Sequence, residues 1–171
     1  NEKKLTKGHI ILLNPVGTKE YEADKKLALK ALQDYPNTMQ IGGGITADNA
    51  LEFIEAGASH VIVTSYVFRD GRINFGNLEK LKSAVGKEHI VLDLSCRKKE
   101  KDYYVVTDRW QKFTEVLLNA DTLDMLLDYC DEFLIHAVDV EGKCKGIEKD
   151  VAILLGAWGK CTMTYAGGVS S

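Results

Sequence analysis

The chain has 171 residues, 45% of them hydrophobic and 27% charged, which fits one soluble globular domain and excludes a disordered or fibrous protein. A net charge of -3 supplies no basic stripe for phosphate backbones, so no nucleic-acid partner is expected, whereas a small anion held by local backbone donors stays open. Cys96, Cys130, Cys144 and Cys161 form no CxxC pair and no Cys/His cluster at metal-ligand spacing, and no apolar run is long enough to cross a bilayer, so neither a metal nor a membrane is expected.

The opening "NEKKLTKG" has no apolar centre like that of a secretion signal, and together with free thiols this places the chain in the cytoplasm, with a plastid as the alternative. The first apolar run, "HIILL" (9–13), precedes "KEYEADKKLALKALQDY" (19–35), where Leu27 and Ala31, and Ala28 and Leu32, recur at helical spacing with lysines opposite. That pattern predicts an amphipathic helix with one face on a sheet and one in water. "TMQI" (38–41) runs through Gly42, Gly43 and Gly44 into a second helical pattern, "ADNALEFIEAGA" (47–58), which Thr46 or Asp48 is placed to cap. "HVIVT" (60–64) precedes "NFGNLEKLKSAVG" (74–86). "HIVLDL" (89–94) precedes a polar and aromatic excursion over residues 95–120, in which "YYVV" reads as a short extended piece. "DTLDMLLDYC" (121–130), "EFLIHAV" (132–138), "IEKDVAILLGAWG" (147–159) and "CTMTYA" (161–166) complete the pattern.

The six strand candidates are continuously apolar rather than alternating, as a parallel sheet covered on both faces requires. With helices between them, the two solutions are a doubly wound open sheet and a closed (β/α)8 barrel.

Gly43 and Gly44 stand where a strand becomes a loop, and there the reading divides. Bare backbone at that point either cradles a phosphate or makes a tight turn with no ligand. Thr64 and Ser65, at the end of the next strand, favour the phosphate. Gly167 and Gly168, followed by Ser170 and Ser171, occupy the same place on the last strand, so a ligand with a phosphate at each end would suit both. Asp93 interrupts an apolar strand near its C-terminal end, which calls for proton transfer, a position at the barrel mouth, or an ion pair with Arg97; the position favours catalysis. Arg97, Lys98 and Lys99 either attract an anion or face solvent. Trp110 either stacks on a planar heterocycle or anchors its own loop. His9, His60 and His89 open strands at the far end and read as structural, while His136 lies nearer the mouth with no evident metal partner.

Taken in order, "IGGGI", "VIVTS", "VLDLSCRK", "LNADT", "EFLIHAVDVEG" and "YAGGVSS" resemble the eukaryote-type branch of a histidine-biosynthesis family, the phosphoribosylformimino-aminoimidazole carboxamide ribotide isomerases. The resemblance covers nearly the whole chain. It implies a (β/α)8 TIM barrel, a small bisphosphate substrate, an Amadori rearrangement of aminoaldose to aminoketose, and no metal or organic cofactor. It also implies that Asp93 is the general acid, that Gly43, Gly44, Thr64 and Ser65 hold one phosphate and Gly167 and Gly168 the other, and that Trp110 covers the substrate.

Aligned this way, "HIILL" is the second barrel strand, so residues 1–171 are expected to be a single (β/α) barrel domain of about six strands, incomplete at both ends. A catalytic aspartate on the first strand then lies outside the sequence. A monomer is expected where the full barrel is present. Where relatives have a Thr-Asp pair after the sixth strand, this chain has Ala137, Val138 and Asp139. Two other readings stay open: the cyclase subunit of imidazole glycerol phosphate synthase, with the same barrel and phosphate loops, and a non-catalytic phosphate-binding fragment whose open sheet edges invite pairing.

Overall fold

All six apolar runs become strands of one parallel sheet. The computed structural model describes residues 7–107, 111–140 and 146–168. In chain order its elements are β1 (Gly8–Ile11), α1 (Lys19–Asp34), β2 (Met39–Gly42), α2 (Ala50–Glu55), β3 (His60–Val63), β4 (Phe68–Arg69), β5 (Arg72–Ile73) and α3 (Phe75–Val85). Then come β6 (Ile90–Asp93), β7 (Cys96–Lys99), β8 (Asp102–Thr107), β9 (Lys112–Leu117), α4 (Ala120–Leu126), β10 (Glu132–His136), α5 (Lys149–Trp158) and β11 (Thr162–Ala166).

The main sheet has the order β1-β2-β3-β6-β10-β11, and every pairing in it is parallel. Its strands therefore follow chain order without reversal. A doubly wound sheet reverses direction at a switch point, so the order selects the barrel, present here as an incomplete portion. The curl is visible in side chains. Gln40 Nε2 on β2 donates to Glu132 Oε2 on β10 at 2.9 Å, although two strands separate them. A flat sheet would hold those strands about 14 Å apart. Gln40, Glu132 and Thr164, which donates to Glu132 at 2.7 Å, thus lie on the concave face. Ile41, Val61, Val63, Leu92, Phe133 and Ile135 belong to the buried apolar core.

The helices start at sequence-encoded caps. Thr18 Oγ1 accepts from the Tyr21 amide at 3.1 Å and opens α1, and Asn74 and Asn119 do the same for α3 and α4. Helix α1 buries Tyr21, Ala28 and Leu32, as half of its expected stripe predicts. Leu27 departs from that expectation: it is 69% exposed, on an open trough beside β1 shared with Ile11 and Leu13. Among the described residues β1 pairs on one side only, so the trough has no neighbouring strand and helix to cover it.

The described residues of the 95–120 excursion form more than one short extended piece: they make a three-stranded antiparallel sheet, β7-β8-β9, with "YYVV" at the centre of β8. The two-residue strands β4 and β5 make a hairpin that the apolar pattern does not announce. The insert sheet is tied to the segment after β10. Arg97 Nε pairs with Asp139 Oδ1 at 3.0 Å, the Lys98 amide donates to Asp139 Oδ2 at 2.8 Å, and the Tyr103 hydroxyl donates to Glu148. The expected alternative of an Arg97–Asp93 ion pair is thus replaced by one with Asp139. Asp139 comes within reach because Cys96 bridges Ala137 in parallel.

His60 Nε2 meets Asp131 at 3.1 Å and His89 Nδ1 meets the Ser59 carbonyl at 2.9 Å, in keeping with structural roles. Cys96 and Cys130 are each 1% exposed, and burial pushes the Cys96 thiol up to about 12 and raises that of Cys130 as well. Cys144 lies outside the described residues. At pH 8 in native buffer a maleimide should therefore leave Cys96 and Cys130 unmodified for hours and label both after denaturation. Peptide mass mapping that finds rapid native labelling at Cys96 would contradict the packing of β7 against β10.

Candidate functional site

The C-terminal ends of β2, β3 and β6 converge on one cavity of about 260 Å³. Its wall contains Gly43 and Gly44 after β2, Thr64 and Ser65 after β3, and Asp93 at the end of β6. Ile11, Ile62 and Tyr66 complete it with apolar surface.

The glycines are required by geometry. Gly43 has φ 101°, and a Cβ there would lie 2.1 Å from the Leu12 carbonyl oxygen, because β1 runs past at backbone contact. Gly44 has φ 68° and is exposed toward the mouth. The expected capping by Thr46 or Asp48 is not found. Helix α2 begins at Ala50, and Asn49 precedes it without a side-chain cap bond. Instead Asn49 Nδ2 donates to the Gly44 carbonyl at 2.9 Å and Asn49 Oδ1 accepts from the Thr46 amide at 2.8 Å. Asn49 therefore braces the glycine loop, because an Asx side chain competes with helix for nearby backbone groups. Behind the loop the Tyr21 hydroxyl is buried without a hydrogen-bond partner among the described residues, a feature the helical pattern of α1 does not signal.

Asp93 is half-buried in the cavity wall. Its Oδ1 accepts from Ser95 Oγ at 2.9 Å and its Oδ2 from Thr64 Oγ1 at 3.3 Å. Loss of hydration raises its carboxyl above the usual range, and the bonds from Ser95, the charge of His136 and the Thr64 bond oppose that rise. A carboxyl so placed holds a proton to a higher pH than one in water, which suits a general acid.

Gly167 and Gly168 follow β11 on the far side of the same sheet end. Gly167 has φ 114°, with a Cβ position 2.6 Å from the Ala137 carbonyl oxygen, and Gly168 has φ 67°, with a Cβ position 2.1 Å from the Gly146 carbonyl oxygen. Both positions exclude a side chain. Four strand steps separate β2 from β11, which is at most about 19 Å along the sheet and less across its concave side.

Of the expected site residues, Gly43, Gly44, Thr64, Ser65 and Asp93 thus share one cavity, and Gly167 and Gly168 sit across the mouth. Arg97 lies elsewhere, with its charge met by Asp139 and its guanidinium 5.4 Å from the centre of the Phe113 ring. Trp110, Ser170 and Ser171 lie outside the described residues. His136, by contrast, comes closer to the site than its sequence context suggests. It shares the concave face with Glu132 and Leu134, and Leu134 is the strand partner of Asp93. The signal available was strand geometry alone, since every second residue of a strand shares a face and His136 stands two after Leu134 and four after Glu132.

A family profile described as histidine biosynthesis protein matches residues 3–171. The chain belongs to that family. Three relatives are each named as an isomerase of an imidazole-4-carboxamide that bears 5-phosphoribosyl and (5-phosphoribosylamino)methylideneamino groups. The relative from Medicago truncatula, further described as chloroplastic, is 52% identical over 163 residues, which are 95% of this chain and 51% of the relative. The relative from Yarrowia lipolytica is 44% identical, over 95% of this chain and 62% of the relative. The relative from Saccharomyces cerevisiae is 42% identical, again over 95% of this chain and 62% of the relative. The chain thus spans about half to three-fifths of the length of these family members. The incomplete barrel is the matching structural fact, since a family barrel of eight strands needs about 250 residues.

Proposed function

We propose that this chain supplies the greater part of the active-site wall of an aldose–ketose isomerase of histidine biosynthesis, which converts the aminoaldose of a bisphosphate substrate to the aminoketose. The observation that carries this reading is the position of Asp93, an acid with a raised pKa, on one cavity with the Gly43–Gly44 loop and the Thr64 and Ser65 hydroxyls. The names of the relatives support it.

In this reading Gly43, Gly44, Thr64 and Ser65 hold one phosphate and Gly167 and Gly168 the other. The substrate lies across the mouth between them. Asp93 gives its proton to the furanose ring oxygen, the bond from that oxygen to C1 breaks, and the amine lone pair on C1 forms a C=N bond. A base then takes the proton on C2, and those electrons make an enolamine while the iminium nitrogen recovers its pair. Protonation at C1 and loss of the hydroxyl proton on C2 give the ketone. No atom is gained or lost.

The base is assigned to a carboxylate on a preceding strand, so the activity belongs to a polypeptide of the relatives' length, with residues 1–171 as one barrel domain. Trp110 covers the substrate, and Arg97, whose charge is met by Asp139, takes no part in holding it. A reducing compartment, cytoplasm or plastid, suits the free thiols, and the chloroplast relative supports the second.

Incubating the full-length protein with purified aminoaldose bisphosphate, without ammonia or glutamine, should yield the aminoketose isomer by chromatography. No conversion under these conditions, with turnover of the aminoketose once ammonia is added, would instead identify the cyclase.

A further inference from the structure

We propose that Tyr21 is a further phosphate-binding residue: its buried hydroxyl donates to a phosphate oxygen seated on the Gly43–Gly44 turn. The assignment rests on the phosphate reading of that turn and adds to it a donor from α1, outside the loop itself.

Tyr21 stands in the first turn of α1, is 2% exposed, and packs its ring into the apolar core. Its hydroxyl oxygen is enclosed and has no hydrogen-bond partner among the described residues. A hydroxyl taken out of water without a partner gives up its hydration for nothing. Phenylalanine would fill the same space without that loss, so the packing of α1 does not account for the oxygen. Burial raises the phenol above its ordinary pKa, with Lys25 opposing the rise and Glu22 and Glu52 adding to it, which keeps the group a donor at neutral pH. Lys25 itself is paired with Glu52 at 2.7 Å, so the neutral hydroxyl is what α1 presents there.

That hydroxyl adjoins the glycine turn. It lies 3.7 Å from the place a Gly44 Cβ would take, and Gly44 Cα is one carbon–carbon bond of about 1.5 Å further on, so the two are at most about 5.2 Å apart. An oxygen that accepts from two donors at about 2.8 Å each spans up to about 5.6 Å between them, so one phosphate oxygen can accept from this turn and from Tyr21 together. The turn itself is set for an acceptor. Its Gly44 carbonyl and Thr46 amide are engaged by Asn49, whereas among the described residues the Gly44 and Ile45 amides donate to nothing. Successive free amides around a residue of positive φ form a concavity for an anion. Val16 stands on the same side of Gly44, with its Cγ2 2.3 Å from the Cβ position, and is 58% exposed. A rotamer change of one surface side chain therefore opens the hydroxyl to a ligand. Any side chain at Gly44 would fill that space instead.

The test is Tyr21→Phe in the full-length protein. Binding of inorganic phosphate, followed by the NMR shift of the Gly44 amide, should weaken about 10-fold, and KM for the aminoaldose bisphosphate should rise by a similar factor with kcat within about threefold. The melting temperature without ligand should equal or exceed that of wild type, since the hydroxyl has no bond to lose. Equal phosphate affinity in the two proteins would overturn the assignment. So would an unliganded Tm lowered by several degrees, because the hydroxyl would then be bonded already in the free protein. Wild-type protein that binds no phosphate at Gly44 would overturn it together with the phosphate reading of the turn. Wild-type protein that binds phosphate, loses affinity in Tyr21→Phe and yet converts no aminoaldose keeps the assignment and removes the isomerase reading alone.

Discussion

Replacing Asp93 by Asn lowers kcat of the full-length isomerase by at least about 10², the lower bound usual for loss of a general acid. The variant is nearly isosteric, and its carbonyl can still accept from Ser95 Oγ, so substrate binding should change little and KM should stay within about threefold. What the amide cannot do is release a proton to the ring oxygen. A variant that turns over like wild type would remove Asp93 from the mechanism.

The same substitution carries a stability signature of opposite sign. Burial raises the Asp93 carboxyl in the folded state, so between its unfolded and folded pKa values the native protein holds a proton that the unfolded chain has lost. Stability from this group is therefore full below the unfolded value and falls as pH rises through the folded one. Asn has no such dependence. Thermal melts should show Asp93→Asn above wild type by a few degrees at pH 8, consistent with about 0.5–1 kcal/mol, and no gain at pH 4. A lower Tm at pH 8 would mean that Asp93 is held mainly for packing rather than poised as an acid.

The second large effect belongs to Gly43→Ala. The residue has φ 101°, and its new methyl would meet the Leu12 carbonyl oxygen at 2.1 Å, a backbone atom that no rotamer change can move. Strain in the dihedral and displacement of β1 together should cost about 2–4 kcal/mol, seen as a shift of the urea midpoint. Because the loop carries the proposed phosphate site, KM should also rise about tenfold or more. Gly156→Ala is the internal control: this glycine lies within α5, with nothing beyond its own turn of helix within 4 Å of the added carbon, and the change should be neutral or stabilising by up to about 1 kcal/mol. If the two substitutions had equal effects, the glycine loop would not be the strained element described above.

Much of this fold is legible in the chain because strands buried on both faces and helices buried on one leave different periodicities. "HVIVT" and "HIVLDL" have no alternative reading, and their helical spacers force parallel pairing. Asp93 stands out for the same reason: a carboxylate in an otherwise apolar strand is costly unless it has a task or a partner. Other features depend on contacts between distant residues. The β7–β8–β9 sheet is short, amphiphilic and rich in lysine, so its local pattern resembles loop, and only the ladder from Cys96 to Val105 reveals it. Thr46 and Asp48 read as caps for α2, but the side chain engaged there is that of Asn49, whose amide is turned toward Gly44, a choice made by the loop rather than the helix. Leu27 belongs to a helical stripe that is wider than the described sheet can cover. Arg97 lies four residues after Asp93 and invites a local ion pair, but β7 carries it to Asp139.

Glu148 receives the Tyr103 hydroxyl from the insert sheet and gives its own amide proton to the Tyr165 hydroxyl, 3.0 Å away on β11, the strand that leads into Gly167. One carboxylate-bearing residue thus fastens both the accessory sheet and the strand that leads to the opposite rim, each by a single hydrogen bond.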